Sequence, residues 1–136
     1  MTLILEKSYK LLPELKENGN WVDIGGGASV KVAMTGNANH KKALEEARDS
    51  KKYDLQYGKL SDHEIRDLDI DVEVKTLFLD FRGIKILENQ PSENSVETRK
   101  AMFQYEEFRE FVLAISRQYK HFMEKREAGD IETLKK

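Results

Sequence analysis

Residues 61–83 read SDHEIRDLDIDVEVKTLFLDFRG, and whether this stretch is helix or strand decides the fold. Leu68, Ile70, Val72 and Val74 alternate with Asp69, Asp71 and Glu73, as in a strand with one wet face. Ile65, Leu68, Val72 and Leu79 instead keep the three-, four- and seven-residue steps of a helix. Two features favour the helix. Ser61 stands three residues before Glu64, the spacing of a capping box in which each residue satisfies a free N–H of the other. The stretch then reaches Phe81 with neither Gly nor Pro, beyond the length of an ordinary strand. The spacing therefore predicts a helix over 62–81, ended by Arg82-Gly83.

Working toward the N-terminus, Asn37 follows Gly36 as the cap of a helix over 38–51. Its apolar stripe, Ala43, Leu44 and Ala47, is thin and must lie on a larger surface. Trp21, Val22 and Ile24, then Val30, Val32 and Met34, flank Gly25-Gly26-Gly27 and predict a β-hairpin over 21–34. Glu17-Asn-Gly-Asn20 is a turn, and Pro13 breaks residues 3–16 before a long helix forms. Toward the C-terminus, Ile84–Leu87 reads as a short extended segment and 88–94 as a loop, after which Ser95 caps a helix over 96–103. Tyr105, Phe108, Phe111, Val112, Ile115, Tyr119, Phe122 and Met123 then mark one face of a long amphipathic helix reaching Ala128. Gly129 closes it, leaving 129–136 as a flexible tail. The expected fold is mainly α with a small N-terminal β-hairpin (α+β), a single domain over 1–128 whose helices at 95–128 end in that long element.

Composition narrows the function. The 136 residues suit one domain, and 35% of them are charged against about 25% in an average protein, so the core is small. Because 23 basic side chains nearly balance 25 acidic ones, the net charge of −2 supplies no field toward nucleic acid or an anionic membrane. With no cysteine there is no disulfide, thiolate nucleophile or cysteine zinc site. The first residues hold only three apolar side chains in a row, too few for a signal peptide, and Phe111–Ile115 is far too short to span a membrane.

Candidate chemical motifs fail one by one. Gly25-Gly26-Gly27 lacks the spacing of a P-loop or dinucleotide fingerprint and runs into a strand, so it reads as a hairpin turn. Asp67, Asp69 and Asp71 open like a calcium loop, but Val72 stands where the turn glycine belongs and Phe78 where the bidentate glutamate belongs. His40, His63 and His121 are far apart, and His63-Glu64 lacks the second histidine of a zinc-protease helix. Asp80-Phe81-Arg82-Gly83 has no companion kinase motif, and no serine sits in a Gly-x-Ser-x-Gly elbow. Nothing marks a catalytic residue, a metal site or a cofactor site, and the expectation is a non-enzyme. The aromatic stripe of the last helix could stack bases, but Arg109, Arg117, Lys120, Lys125 and Arg126 are matched by Glu106, Glu107, Glu110, Glu124 and Glu127. It reads as core, or as part core and part protein interface.

In order, these elements resemble the tail assembly chaperones of long-tailed (siphovirus-type) bacteriophages and prophages. The resemblance lies in Trp21 opening a hairpin, Gly36-Asn37 leading into a charged helix, Leu77–Ile84, the loop with Pro91 and Ser95, and Phe103 through Phe122. Phe81 stands where members of that family often carry Trp. The resemblance implies a protein of the host cytoplasm, absent from the mature virion, that coats and solubilises the tape measure protein and recruits major tail tube subunits. It also implies self-association and a programmed frameshift, for which the Lys135-Lys136 codons could form the slippery run. On this reading Phe122, Met123, Ile131 and Leu134 are the partner-binding residues near the junction with a frameshifted extension. Two other classes remain open: a structural tail-completion or head–tail connector protein, and a small nucleic-acid-binding phage regulator. The second needs a basic recognition helix, which the mixed-sign helices do not offer.

Overall fold

A computed structural model describes residues 11–123 of the chain. In order they form α1 (Pro13–Asn18), β1 (Asn20–Gly25), β2 (Ala28–Val32), α2 (Ala38–Ser50), α3 (Lys52–Gln56), α4 (Asp62–Thr76), β3 (Phe78–Arg82), α5 (Val96–Phe103) and α6 (Glu106–Ser116), followed by a 3₁₀ turn at Tyr119–His121. The class is α+β. The sheet, however, has three antiparallel strands in the order β1-β2-β3, one more than the expected hairpin.

The extra strand comes from the deciding stretch. The capping box forms as expected, with the Glu64 N–H donating to Ser61 Oγ (3.2 Å) and the Ser61 N–H to Glu64 Oε1 (3.3 Å). The helix does not reach residue 81. It stops at Thr76, and Phe78–Arg82 turn back as β3, pairing Val30 with Phe81 and Lys31 with Asp80. Phe78 and Phe81, aromatic residues that favour strands, meet the open edge of β2, and that pairing overrides helical continuation. The strand-like alternation upstream of it has a different origin. Residues two apart on a helix point about 200° apart. Ile70 and Val74, with Leu77, join the main apolar cluster, while Val72 and Thr76 are buried outside that cluster, and α2 also packs on α4. A helix covered on both sides shows two stripes, which together imitate a strand.

Other boundaries also differ from expectation. Pro13 opens α1 instead of breaking a helix, because the first helical position needs no N–H. The hairpin runs from Asn20 to Val32, and Met34 beyond it donates its N–H to the Lys16 carbonyl (2.9 Å). Gly25, Gly26 and Gly27 all have positive φ (92°, 63° and 80°), the conformation that makes glycine necessary at this tip. Asn37 and Ser95 cap α2 and α5 as expected.

The long terminal helix is cut short. The chain breaks at Gln104-Tyr105, and α6 ends at Ser116, whose carbonyl accepts the Thr35 N–H (2.9 Å) while its hydroxyl meets that of Thr35 (2.5 Å). The β2–α2 connection thus takes the Ser116 carbonyl, which in a longer helix would accept the N–H four residues on. Gln118 is extended, and the 3₁₀ turn brings Phe122 back into the interior, where the Leu12 N–H donates to its carbonyl (2.9 Å). Residues 124–128 of the expected helix and the 129–136 tail lie outside the described residues. Among the described residues no helix is long and apolar enough to cross a membrane.

Candidate protein-binding groove

Among the described residues a concavity opens beside the break between α5 and α6. Phe78 on β3 stacks on Phe103 of α5 with ring centroids 5.0 Å apart and planes nearly parallel (9°). Phe108 of α6 stands edge-on to both, at 5.8 and 6.3 Å. Such edge-to-face pairs add to the burial of the rings and fix their orientation. Phe108 and Met102 then line a cavity of about 240 Å³, completed by Ile84, Lys85, Ile86 and Tyr105.

The segment after β3 forms one wall. Gly83 turns it with φ 69°, and a Cβ at this position would collide with the Gly27 carbonyl, so the hairpin tip and the end of β3 touch backbone to backbone. Beyond Gly83, the Ile86 N–H donates to Ser92 Oγ (3.1 Å), holding the loop in place. A second, more open space of about 580 Å³, lined by Gly83, Ile84, Lys85, Glu88, Pro91 and Ser92, shares Ile84 and Lys85 with the first. Of the residues lining the first cavity, Tyr105 is 57% exposed.

Polar bonds hold the two helices to α4. Arg99, buried, donates from Nε to the Val74 carbonyl (3.1 Å) and from Nη1 to Asn94 Oδ1. Arg109 grips Glu73 through two bonds of 2.8 and 2.9 Å. The hydrogen bonds to Glu73 hold the Arg109 guanidinium above its ordinary pKa, against the opposing effect of burial. Asp71 receives Lys100 (2.6 Å) and Lys75 (2.8 Å). Burial pushes its carboxyl up, but the two ammonium groups outweigh it and hold Asp71 below its ordinary value.

The histidines do not converge. His40 Nδ1 accepts the Gly36 N–H (3.0 Å), His63 faces Asp67 on the surface (3.3 Å), and His121 meets Gln118 (2.7 Å). Among the described residues no three His, Cys, Asp or Glu side chains are grouped to hold a metal ion.

Of the expected partner-binding residues, Phe122 has no exposed surface and belongs to the interior. Met123 is half-buried and bridges to Leu11 in an isolated antiparallel pair, while Ile131 and Leu134 lie outside the described residues. Neither Phe122 nor Met123 lines the groove. The groove residues were visible in the sequence only in fragments: Ile84 and Ile86 within the short extended segment, and Tyr105 and Phe108 as part of the aromatic stripe. Comparison with protein-family models, with curated proteins and with solved structures finds no match to this chain.

Proposed function

We propose that the chain is a tail assembly chaperone of a long-tailed bacteriophage or prophage, a non-enzymatic protein that binds and solubilises the tape measure protein and recruits tail tube subunits. The observation that carries the reading is the apolar groove of Ile84, Ile86, Met102, Tyr105 and Phe108, in which Tyr105 is largely exposed. An amphipathic helix lays successive apolar side chains into such a groove, and the ring-fixed floor needs no rearrangement to receive them. A long helical client with repeated apolar stripes is the partner this shape suits, and the resemblance names it as the tape measure protein. The chaperone acts in the host cytoplasm and is left out of the finished particle.

Co-expression with the tape measure protein of the same genome tests the reading. The intact chain should keep the client soluble, and Ile86→Glu combined with Tyr105→Glu should return it to the pellet. Equal solubility with that variant would remove the groove from the mechanism. A chain stopped after Met123 tests the contribution of Ile131 and Leu134; an earlier stop would strip buried Phe122 from the fold. Mass spectrometry of purified particles separates this reading from a tail-completion or connector protein, which would be retained.

A further inference from the structure

Residues 84–93, which form one wall of the groove, are held to the rest of the molecule chiefly by their two ends. None of them is buried, and only Ile84, Ile86 and Ser92 are half-buried, the two isoleucines against the main apolar cluster. Among the described residues, the hydrogen bonds of this segment all run within it: the Ile86 N–H donates to Ser92 Oγ (3.1 Å) and the Gln90 N–H to the Leu87 carbonyl (3.2 Å). Such bonds fix the segment's own shape and not its position. Space adjoins it as well. The cavity of about 240 Å³ lies between Ile84–Ile86 and the α5–α6 corner, and the space of about 580 Å³ is lined by residues from Gly83 to Ser92.

The two ends are held differently. Gly83 is set by its backbone contact with Gly27 at the hairpin tip. Asn94, exposed, is a junction: its Nδ2 donates to the Leu79 carbonyl of β3 (3.3 Å), and its Oδ1 accepts from Arg99 Nη1. Arg99 is buried on α5, and its Nε donates to the Val74 carbonyl of α4 (3.1 Å). One surface amide thus ties the end of the segment to β3 and, through a guanidinium withdrawn from water, to α4 and α5. A buried cation gives up a hydrogen-bond partner at high cost, so Arg99 keeps hold of Asn94.

We propose that residues 84–93 are a hinged strap, pivoting at Gly83 and latched at Asn94 by Arg99, and that the position of the strap sets the width of the groove. A segment with few buried apolar contacts and no hydrogen bond to the body opens at low free-energy cost, and such movements turn on a few residues at the ends of elements. The floor of rings stays fixed while Ile84 and Ile86 close on what enters. Only that last step rests on the groove reading; the strap and its latch stand on the bonds above.

The test uses the full chain, which has no cysteine, so introduced cysteines take spin labels without background. Leu87→Cys with Glu107→Cys spans strap and α6, and Glu97→Cys with Glu107→Cys is an α5–α6 reference; all three positions are exposed. Pulsed electron spin resonance should give a strap–α6 distance distribution about twice as broad as the reference or more. Asn94→Ala should broaden it further with the thermal midpoint unchanged, while Asn94→Asp, which keeps an acceptor for Arg99, should restore the parent distribution. A strap–α6 distribution as narrow as the reference, no response to Asn94→Ala, or equal broadening by Asn94→Asp would each overturn the proposal. A neutral amphipathic helical peptide of Leu and Gln should narrow the distribution on binding, and a peptide mapped by NMR to residues 102–108 that leaves it unchanged would show that the strap takes no part in the site. Failure of the peptide to bind counts against the groove reading alone, because the label distances decide the strap without it.

Discussion

Helices α5 and α2 both pack on α4, but they are held there by opposite means. The α5–α6 corner is fastened by aromatic burial, with Phe78, Phe103 and Phe108 in mutual contact and Arg109 clamped on Glu73. The α2–α3 arm has no buried side chain of its own; it rests on α4 and is fastened at its root, where residues 33–40 are hydrogen-bonded to one another and to Lys16, Leu77 and Ser116. A corner held by rings keeps a cavity open beside it. An arm held by its root leaves its whole outer surface free for contact.

The comparison breaks first at the rings. Phe103→Ala should cost about 3–5 kcal/mol in denaturant unfolding, because the lost ring leaves a cavity between Phe78 and Phe108. A loss below about 1 kcal/mol would show that the corner is held by something other than the rings. Gly83→Ala should follow at about 2–4 kcal/mol, since it combines a left-handed φ of 69° with a backbone collision against Gly27. The readout is the same unfolding curve. Glu73→Gln keeps the shape but removes the charge facing Arg109, and should cost about 2 kcal/mol because both side chains are largely withdrawn from water. A double-mutant cycle with Arg109→Met isolates that pair from the rings.

The same contrast explains what the sequence made legible. Features encoded locally could be read: the Ser61–Glu64 box, the Asn37 and Ser95 caps, and the triple-glycine hairpin tip. Features decided by a distant partner could not. Residues 78–82 become a strand because β2, some fifty residues earlier, offers an edge, and α6 stops at Ser116 because Thr35 takes its carbonyl. The groove is tertiary in the same sense, assembled from residues 84–86 and 102–108 around rings whose contacts no periodicity reveals. Phe122 shows the hazard of extending a pattern: it keeps helical spacing with Ile115 and Tyr119, yet it is buried after a turn while Tyr119 is exposed.

The smaller effects concern the arm. Asn37, almost fully buried, accepts the His40 N–H (2.9 Å) and donates to the Met34 carbonyl (2.7 Å). Asn37→Ala removes both bonds and should cost about 1–2 kcal/mol. If the root holds the arm, hydrogen exchange should show the loss at α2 and α3 amides and leave α5 and α6 unchanged. Equal loss in both regions would merge them into one cooperative unit.

The smallest effect is a pH dependence at the same root. His40 Nδ1 accepts the Gly36 N–H, so its lone pair must be free and the bonded ring is neutral. Burial lowers the His40 pKa below its ordinary 6.5; Glu73 on α4 opposes the shift and Arg48 on α2 reinforces it. With the folded value below the unfolded one, the unfolded chain binds more protons between the two. The contribution is therefore complete above about pH 6.5 and is lost as the pH falls toward the folded value. His121 is displaced in the same direction, by burial and by Lys120, and adds to the global slope. A local readout separates them. Corrected for intrinsic exchange, α2 and α3 amides should lose protection on acidification through this window while α5 and α6 amides keep theirs. His40→Asn should remove that local dependence even though the His121 contribution remains. Identical pH profiles for the arm amides of the parent and the variant would show that the imidazole does not hold the root.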